Sequence, residues 1–152
     1  MIMTVTTNSV QETEALGAAL ARSLPAGFSF IALYGEMGAG KTALVRGVAS
    51  VLSPGSRVKS PTYTIVNEYR RGEAPLFHFD LCRLSSFDEL DSFGFFEYAD
   101  RGHVVVEWAN ILGDELPENA VRVRITPDGD RRTFEIEGLD GELQFTDETE
   151  AG

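Results

Sequence analysis

An α/β fold with a mixed, centrally parallel sheet is predicted by three features of the 152-residue sequence. Strand-like and helix-like stretches alternate through its first half. The run His103-Val104-Val105-Val106-Glu107 is apolar in the way a strand buried on both faces of a parallel sheet is apolar. Val121 to Ile125 and Thr133 to Ile136 each alternate apolar and polar residues, which predicts a C-terminal antiparallel hairpin closing the sheet.

Each element has its own signal. Met3 to Thr6 reads as a short strand. In residues 11–23 and just beyond, Leu16, Ala19, Leu20 and Leu24 recur at helical spacing, and Pro25-Ala26-Gly27 ends the helix. Phe28 to Tyr34 reads as a strand running straight into Gly35. Lys41 to Leu52 reads as a helix with Leu44, Val45, Val48 and Leu52 facing inward, stopped by Ser53-Pro54-Gly55. Thr62 to Tyr69 is β-branched and aromatic, hence a strand. Leu76 to Asp80 is another, and Phe87 to Tyr98 holds short helices broken near Gly94. Pro127-Asp128-Gly129 is expected to turn between the two final strands.

The size suits one domain with a real core, taken as residues 1–138. Net charge is -11, but six acids (Glu137, Asp140, Glu142, Asp147, Glu148 and Glu150) fall in the last sixteen residues, which hold no Lys or Arg. Residues 139–152 are therefore expected to form an acidic, flexible tail. The remaining body carries 18 acids against 13 bases. A chain this acidic is poorly suited to grip nucleic acid by itself, because phosphate binding rests on clustered Lys and Arg. No apolar run approaches the roughly 18–20 residues of a membrane helix. Met1 to Val10 lacks the basic start and apolar core of a signal peptide. A cytoplasmic protein without membrane association is expected. The lone cysteine, Cys82, allows no internal disulfide.

The segment Gly35-Glu36-Met37-Gly38-Ala39-Gly40-Lys41-Thr42 satisfies the P-loop pattern G-x-x-x-x-G-K-[ST]. Its glycines let backbone N–H groups curl around phosphate oxygens, and the helix it opens presents its positive dipole end to an anion. Lys41 is placed to reach the β- and γ-phosphates of a nucleoside triphosphate, and the Thr42 hydroxyl to ligate Mg²⁺. The fold expected is thus a P-loop NTPase-like three-layer sandwich.

Hydrolysis needs a second acid near the metal, usually at the end of an apolar strand. Asp80 and Glu107 both end such strands, at the edge where open α/β sheets bind ligands. Between the P-loop helix and Asp80 lies Ser60-Pro61-Thr62-Tyr63-Thr64, where Pro61 holds Ser60 extended and a threonine could close over the γ-phosphate. Asp91-Ser92-Phe93-Gly94 matches D-x-x-G but follows an acidic helical stretch, and no N-K-x-D guanine-reading segment occurs. Adenine is therefore the expected base. His78 and His103 lack a metal-ligand partner at useful spacing and are read as core or surface histidines.

Four blocks in order, Gly35 to Thr42, Lys59 to Thr64, His78-Phe79-Asp80-Leu81-Cys82-Arg83-Leu84 and Val106-Glu107-Trp108, carry a resemblance to the TsaE (YjeE) family. It covers roughly residues 10 to 136. That family consists of bacterial ATPases acting with TsaD and TsaB in forming N6-threonylcarbamoyladenosine at position 37 of tRNAs. The resemblance implies that Lys41 and Thr42 serve phosphates and Mg²⁺ and that Glu107 is the metal-side acid. It implies that Asp80 is needed for hydrolysis, that Thr62 and Thr64 belong to a switch-like segment, and that Trp108 lies beside the site. Adenine-side contacts map loosely to Ser9 through Thr13, with Thr13 the candidate, and a nucleotide-side arginine maps to Arg132 or else Arg131. Cys82 stands where an aromatic is common, and the acidic tail is not a family hallmark.

The implied activity is ATP hydrolysis to ADP and phosphate, used to reset a TsaD–TsaB assembly, with tRNA reached only through those partners. Hydrolysis by the chain alone is expected to be slow, because no arginine finger follows from the sequence; Arg83 is a candidate in cis. Two other classes fit a P-loop: a small-molecule kinase, which normally carries an Arg-rich lid absent here, and a nucleotide-dependent interaction module without significant turnover.

Overall fold

The computed structural model describes residues 2–35, 40–59, 61, 65–92, 94–139, 141, 143 and 145. The elements in chain order are β1 (Ile2–Thr7), α1 (Val10–Arg22), β2 (Phe30–Tyr34), α2 (Lys41–Leu52), β3 (Val66–Tyr69), β4 (Leu76–Asp80), α3 (Phe87–Ser92), α4 (Phe95–Tyr98), β5 (His103–Glu107), a 3₁₀ turn (Ala109–Leu112), β6 (Val121–Asp128) and β7 (Arg131–Glu137).

The strands form one seven-stranded sheet in the order β1-β7-β6-β2-β5-β4-β3. The central four, β6, β2, β5 and β4, run parallel, while β7 and β3 pair antiparallel to their inner neighbours. Strands β2, β4 and β5 are buried along nearly their whole length, so both faces of the sheet must be covered. One face packs Ile31, Leu33, Leu76, Val105, Val121 and Val123 against Leu16 and Leu20 of α1 and Leu44, Val45 and Val48 of α2. The other packs Phe30, Phe77, Phe79, Val104 and Val106 against Leu90, Phe95, Ala109 and Leu112. The result is the three-layer α/β sandwich expected from the sequence.

Two glycines decide how α1 meets α2. A Cβ on Gly17 would lie 2.2 Å from the Leu44 carbonyl oxygen, and one on Gly47 would lie 2.0 Å from that of Glu14. Only glycine lets the two backbones approach this closely. Helix α1 is also fixed at its start, where Ser9 Oγ accepts the Glu12 N–H at 3.0 Å and Glu12 Oε1 accepts the Asn8 N–H at 3.0 Å.

Two expectations are corrected. The C-terminal hairpin does not close the sheet, because β1 pairs outside β7 from Ile2↔Glu137 to Thr7↔Arg132. Pro127 and Asp128 belong to β6 and not to the turn, which is Gly129-Asp130 with Gly129 at φ 63°. Pro127 is tolerated because β6 pairs with β2 only as far as Arg124, so its missing N–H faces no second strand. Beyond β7, Leu139, Leu143 and Phe145 pack against the α1/α2-side core, so packing continues past residue 138. Of the expected Thr62–Tyr69 strand, β3 holds Val66–Tyr69, and residues 62–64 lie outside the described residues. Among the described residues no helix is long and apolar enough to cross a membrane.

Candidate nucleotide site

Strand β2 ends at Tyr34 and leads into Gly35, and α2 begins six residues later at Lys41 behind an N-cap, Gly40, at φ 102°. That left-handed conformation favours glycine. Glu36, Met37, Gly38 and Ala39 lie outside the described residues. The two ends of the loop place a helix N-terminus, with its outward-pointing N–H groups, beside the C-terminal edge of the parallel strands.

Lys41 is only 5% exposed. Its ammonium donates to the Gly35 carbonyl oxygen at 2.6 Å and lies 4.1 Å from the centroid of the Trp108 ring. Burial pushes the Lys41 pKa below the ordinary lysine value, and the negative charges of Glu107 and Asp80 partly oppose that shift. Trp108 follows Glu107, and Glu107 pairs in register with Asp80, so the lysine lies at the strand edge that carries both acids. Trp108 reaches this position through a left-handed backbone, φ 59° and ψ 51°, the sole non-glycine residue with positive φ among the described residues. A bulky side chain in that conformation is strained. The kink turns the chain from β5 into the 3₁₀ turn and lays the indole against the lysine.

Glu107 ends β5 and is 3% exposed. In register it stands between Leu33 on β2 and Asp80 on β4, one step from the strand end that enters Gly35. Its Oε2 lies 2.5 Å from Nε2 of His78. Asp80 is partly exposed, and its Oδ1 accepts the Cys82 N–H at 3.0 Å. Cys82 itself is exposed, and burial with the neighbouring Asp80 carboxylate pushes its thiol pKa up. Thr42 follows Lys41 in the first turn of α2 and is partly buried. Thr62 lies outside the described residues.

No cluster of three or more His, Cys, Asp or Glu capable of caging a metal occurs among the described residues. The candidate donors, the Thr42 hydroxyl and a Glu107 carboxylate, are hard oxygens. Mg²⁺ ordinarily takes one or two such protein ligands and completes its shell with phosphate and water, so the residues fit that ion.

A second feature adjoins the N-terminus of α2. Asn8, Ser9, Val10, Thr13, Gly40, Ala43, Asp130 and Arg132 line a cleft of about 460 Å³, in the range that suits a small-molecule site. It brings together the two residues expected on the nucleotide side from distant parts of the chain, Thr13 and Arg132. The Arg132 stem passes 3.8 Å from where a Gly40 Cβ would stand, and its Nη1 donates to the Gly129 and Arg131 carbonyls at 2.9 Å each. Arg131 is exposed and does not line the cleft. The Thr13 hydroxyl is already engaged, 2.7 Å from Thr7 Oγ1 and 3.1 Å from the Ser9 carbonyl to which it donates.

Sequence reasoning missed His78 and Tyr69. His78 is a core histidine, fully buried, but its partner is the strand-end acid Glu107, and its Nδ1 lies 3.1 Å from the Tyr69 hydroxyl. One signal was available. His78 precedes Asp80 by two on the same strand, so both face the side of the sheet that carries α2. His103, the other histidine, accepts the Ser29 N–H on Nδ1 at 3.1 Å, and burial lowers its pKa.

A parallel strand that leads through Gly35 to a helix opening at a buried Lys41, with two strand-end acids at the same sheet edge, defines an α/β protein of the P-loop NTPase-like class. Residues 7–134 match the family described as threonylcarbamoyl adenosine biosynthesis protein TsaE, and the chain belongs to that family. Among its relatives, the tRNA threonylcarbamoyladenosine biosynthesis protein TsaE of Bacillus subtilis is 36% identical over 121 residues, 79% of this chain and 75% of that protein. That of Aquifex aeolicus is 37% identical over 136 residues, 82% of this chain and 96% of that one. The crystal structure of Bacillus subtilis YdiB superposes with a TM-score of 0.69 at 27% identity, covering 95% of this chain and 90% of that chain.

Proposed function

We propose that this chain binds ATP with Mg²⁺ and hydrolyses it slowly, as an accessory protein of tRNA threonylcarbamoyladenosine biosynthesis acting on a TsaD–TsaB assembly in the cytoplasm. Family membership supports the place in that biosynthesis. The observation that carries the ATPase reading is the convergence of Lys41, Asp80 and Glu107 at one sheet edge, beside the N-terminus of α2.

In this reading Lys41 leaves the Gly35 carbonyl for the β- and γ-phosphates, where its charge offsets that developing in phosphoryl transfer. Thr42 and Glu107 would hold Mg²⁺, which would supply positive charge against the phosphates. Asp80, more exposed than Glu107 and steadied by the Cys82 N–H, orients the attacking water through its other oxygen. Thr62 lies in the segment that would meet the γ-phosphate. The adenosine takes the cleft between Val10, Thr13 and Arg132, with the base against the apolar Val10 and Ala43. The acidic body suits a protein that meets tRNA through its partners alone.

The test is phosphate release from ATP by the purified chain, with and without Mg²⁺, alongside capture of TsaD and TsaB with ATP present and absent. Slow Mg²⁺-dependent release and nucleotide-dependent capture are expected. Turnover of tens per second by the chain alone would defeat the partner-dependent picture. ATP consumption that appears only with a small hydroxyl compound would instead make it a kinase. Capture of neither partner would remove the assigned pathway role and leave the ATP site standing.

A further inference from the structure

We infer that Tyr69 and His78 are positioning residues for Glu107, holding its carboxylate from behind through a buried hydrogen-bond chain anchored on the main chain of Lys59. This rests on the reading of Glu107 as the acid beside Mg²⁺.

The chain has three links. Glu107 Oε2 lies 2.5 Å from His78 Nε2, His78 Nδ1 lies 3.1 Å from the Tyr69 hydroxyl, and that hydroxyl lies 3.3 Å from the Lys59 N–H and 3.2 Å from the Lys59 carbonyl. Asn67 Nδ2 also donates to the Lys59 carbonyl, at 3.0 Å. The single Tyr69 proton can go to the Lys59 carbonyl or to His78, and the positioning chain takes the second arrangement. A carboxylate at Glu107 accepts from Nε2–H, which leaves Nδ1 to accept the Tyr69 O–H, and the Tyr69 oxygen then accepts the Lys59 N–H. The Lys59 carbonyl is served by Asn67.

The surroundings give the chain its leverage. His78 is fully buried, Tyr69 is 7% exposed and Glu107 is 3% exposed, so water does not compete for these bonds. Among the described residues no buried side-chain N or O atom lacks a partner. Glu107 enters the site from a strand end, and a free carboxylate there would sample several rotamers. Its hydrogen bond to His78 selects one and leaves Oε1 for the metal side. An outer partner of this kind typically changes metal affinity or activity by about 10–100-fold when it is lost. Lys59 is the residue immediately before Ser60, so the far end of the chain lies at the head of the Ser60–Thr64 stretch.

Two measurements test this. Trp108, the chain's single tryptophan and the residue after Glu107, reports the site by fluorescence. At saturating ATP, His78→Leu is expected to raise the Mg²⁺ concentration for half-maximal response by about tenfold. Tyr69→Phe should raise it less, and the double variant should match His78→Leu alone, because Tyr69 acts only through His78. His78→Gln, which returns an N–H near the Nε2 position, should recover part of the loss. Independent multiplying effects, or an unchanged Mg²⁺ midpoint in Tyr69→Phe and His78→Leu, would overturn the proposal.

The second measurement needs no nucleotide or metal. Nitrogen NMR of the free chain should show His78 carrying its proton on Nε2, with Nδ1 shifted by Tyr69→Phe. A proton on Nδ1 of an otherwise neutral ring, or no response to Tyr69→Phe, would also overturn it. If wild-type Trp108 gives no response to ATP, the functional reading has failed, and the ring-nitrogen spectrum still decides the hydrogen-bond chain.

Discussion

Lys41 and Trp108 are in face-on contact: the ammonium lies 4.1 Å from the indole centroid and holds the Gly35 carbonyl at 2.6 Å. Both partners bear a cost in this arrangement. Trp108 is strained in a left-handed conformation, and Lys41 is charged in a buried place. Costs of this kind persist at functional sites because function requires them, and they make mutations there separate stability from activity.

Lys41→Met should demonstrate the separation. The folded pKa of Lys41 lies below its unfolded value. Below both pKa values the two states bind the proton alike, and the folded state carries the full burial cost. Between the folded and unfolded pKa values the unfolded chain binds more protons, so stability rises with pH in that window. Removing the charge removes the cost. Thermal denaturation at pH 7 should therefore show a midpoint equal to or above wild type, and the alkaline rise in stability should shrink. ATP hydrolysis should fall by about a hundredfold or more, as expected when a donor to transition-state charge is lost. A clear drop in melting temperature would contradict the burial argument.

Glu107 and Asp80 are neighbours in register but should fail differently. Glu107→Ala leaves a fully buried His78 nitrogen without its acceptor, at a cost of about 1–3 kcal/mol, and removes the oxygen proposed to face Mg²⁺. Both the melting temperature and the Mg²⁺ response should drop. Asp80→Asn keeps a side-chain oxygen for the Cys82 N–H and should leave stability and nucleotide KM close to wild type while kcat falls. Urea denaturation and steady-state kinetics distinguish the two. Loss of Mg²⁺ dependence in Asp80→Asn alone would exchange their roles.

The legible parts of this molecule are those where one local rule dominates. Helix α2 runs from Lys41 to Leu52 as its periodicity indicates, because a glycine loop starts it and Ser53-Pro54-Gly55 stops it. The break at Gly94 between α3 and α4 follows from its left-handed φ of 68°. Asp80 and Glu107 could be read as strand-end acids because apolar runs precede them. The less legible parts depend on distant pairing. Nothing local to Ile2–Thr7 says that it pairs with β7, more than a hundred residues on, and this pairing makes the hairpin internal. His78 and Tyr69 read as packing residues because each bonds across strands or across a long stretch of chain; spacing puts His78 on the face of Asp80 but does not name its partner on β5.

Arg132 and Thr13 both line the cleft, but only Arg132 should act on nucleotide directly. Its bonds are to carbonyls of its own hairpin and the residue is only partly buried, so Arg132→Ala should cost little stability. Nucleotide KM should rise with kcat nearly unchanged, the signature of lost uniform binding. The Thr13 hydroxyl is committed to Thr7 and Ser9, so Thr13→Val should lower stability by about 1 kcal/mol. Its effect on nucleotide should come through the Thr7–Ser9 turn. Calorimetric ATP titration of the two variants checks the division, and an Arg132→Ala chain that binds ATP as wild type would displace the nucleotide from this cleft.

The α1–α2 contact sets the width of that cleft, since Val10 and Thr13 come from one helix and Ala43 from the other. Two opposing effects meet in Gly47→Ala. Intrinsic propensity favours alanine in a helix by about 1 kcal/mol. Against it, the new methyl would stand 2.0 Å from the Glu14 carbonyl oxygen and 2.8 Å from the Gly17 Cα, which are backbone atoms with no rotamer to yield. Relief requires the helices to separate, and overpacking of this kind costs about 1–3 kcal/mol, occasionally more. The steric cost should win because the obstacle is main chain on both sides. A net loss of about 1–2 kcal/mol corresponds to a fall in melting temperature of roughly 2–8 °C for a chain of this size. Since parting α1 from α2 also pulls Thr13 from Ala43, ATP affinity should weaken with stability, although Gly47 does not line the cleft. Gly17→Ala, which meets the Leu44 carbonyl at 2.2 Å, should reproduce both effects from the opposite helix. Retained affinity in both variants despite lowered melting temperatures would mean that the cleft keeps its shape without the glycine contact.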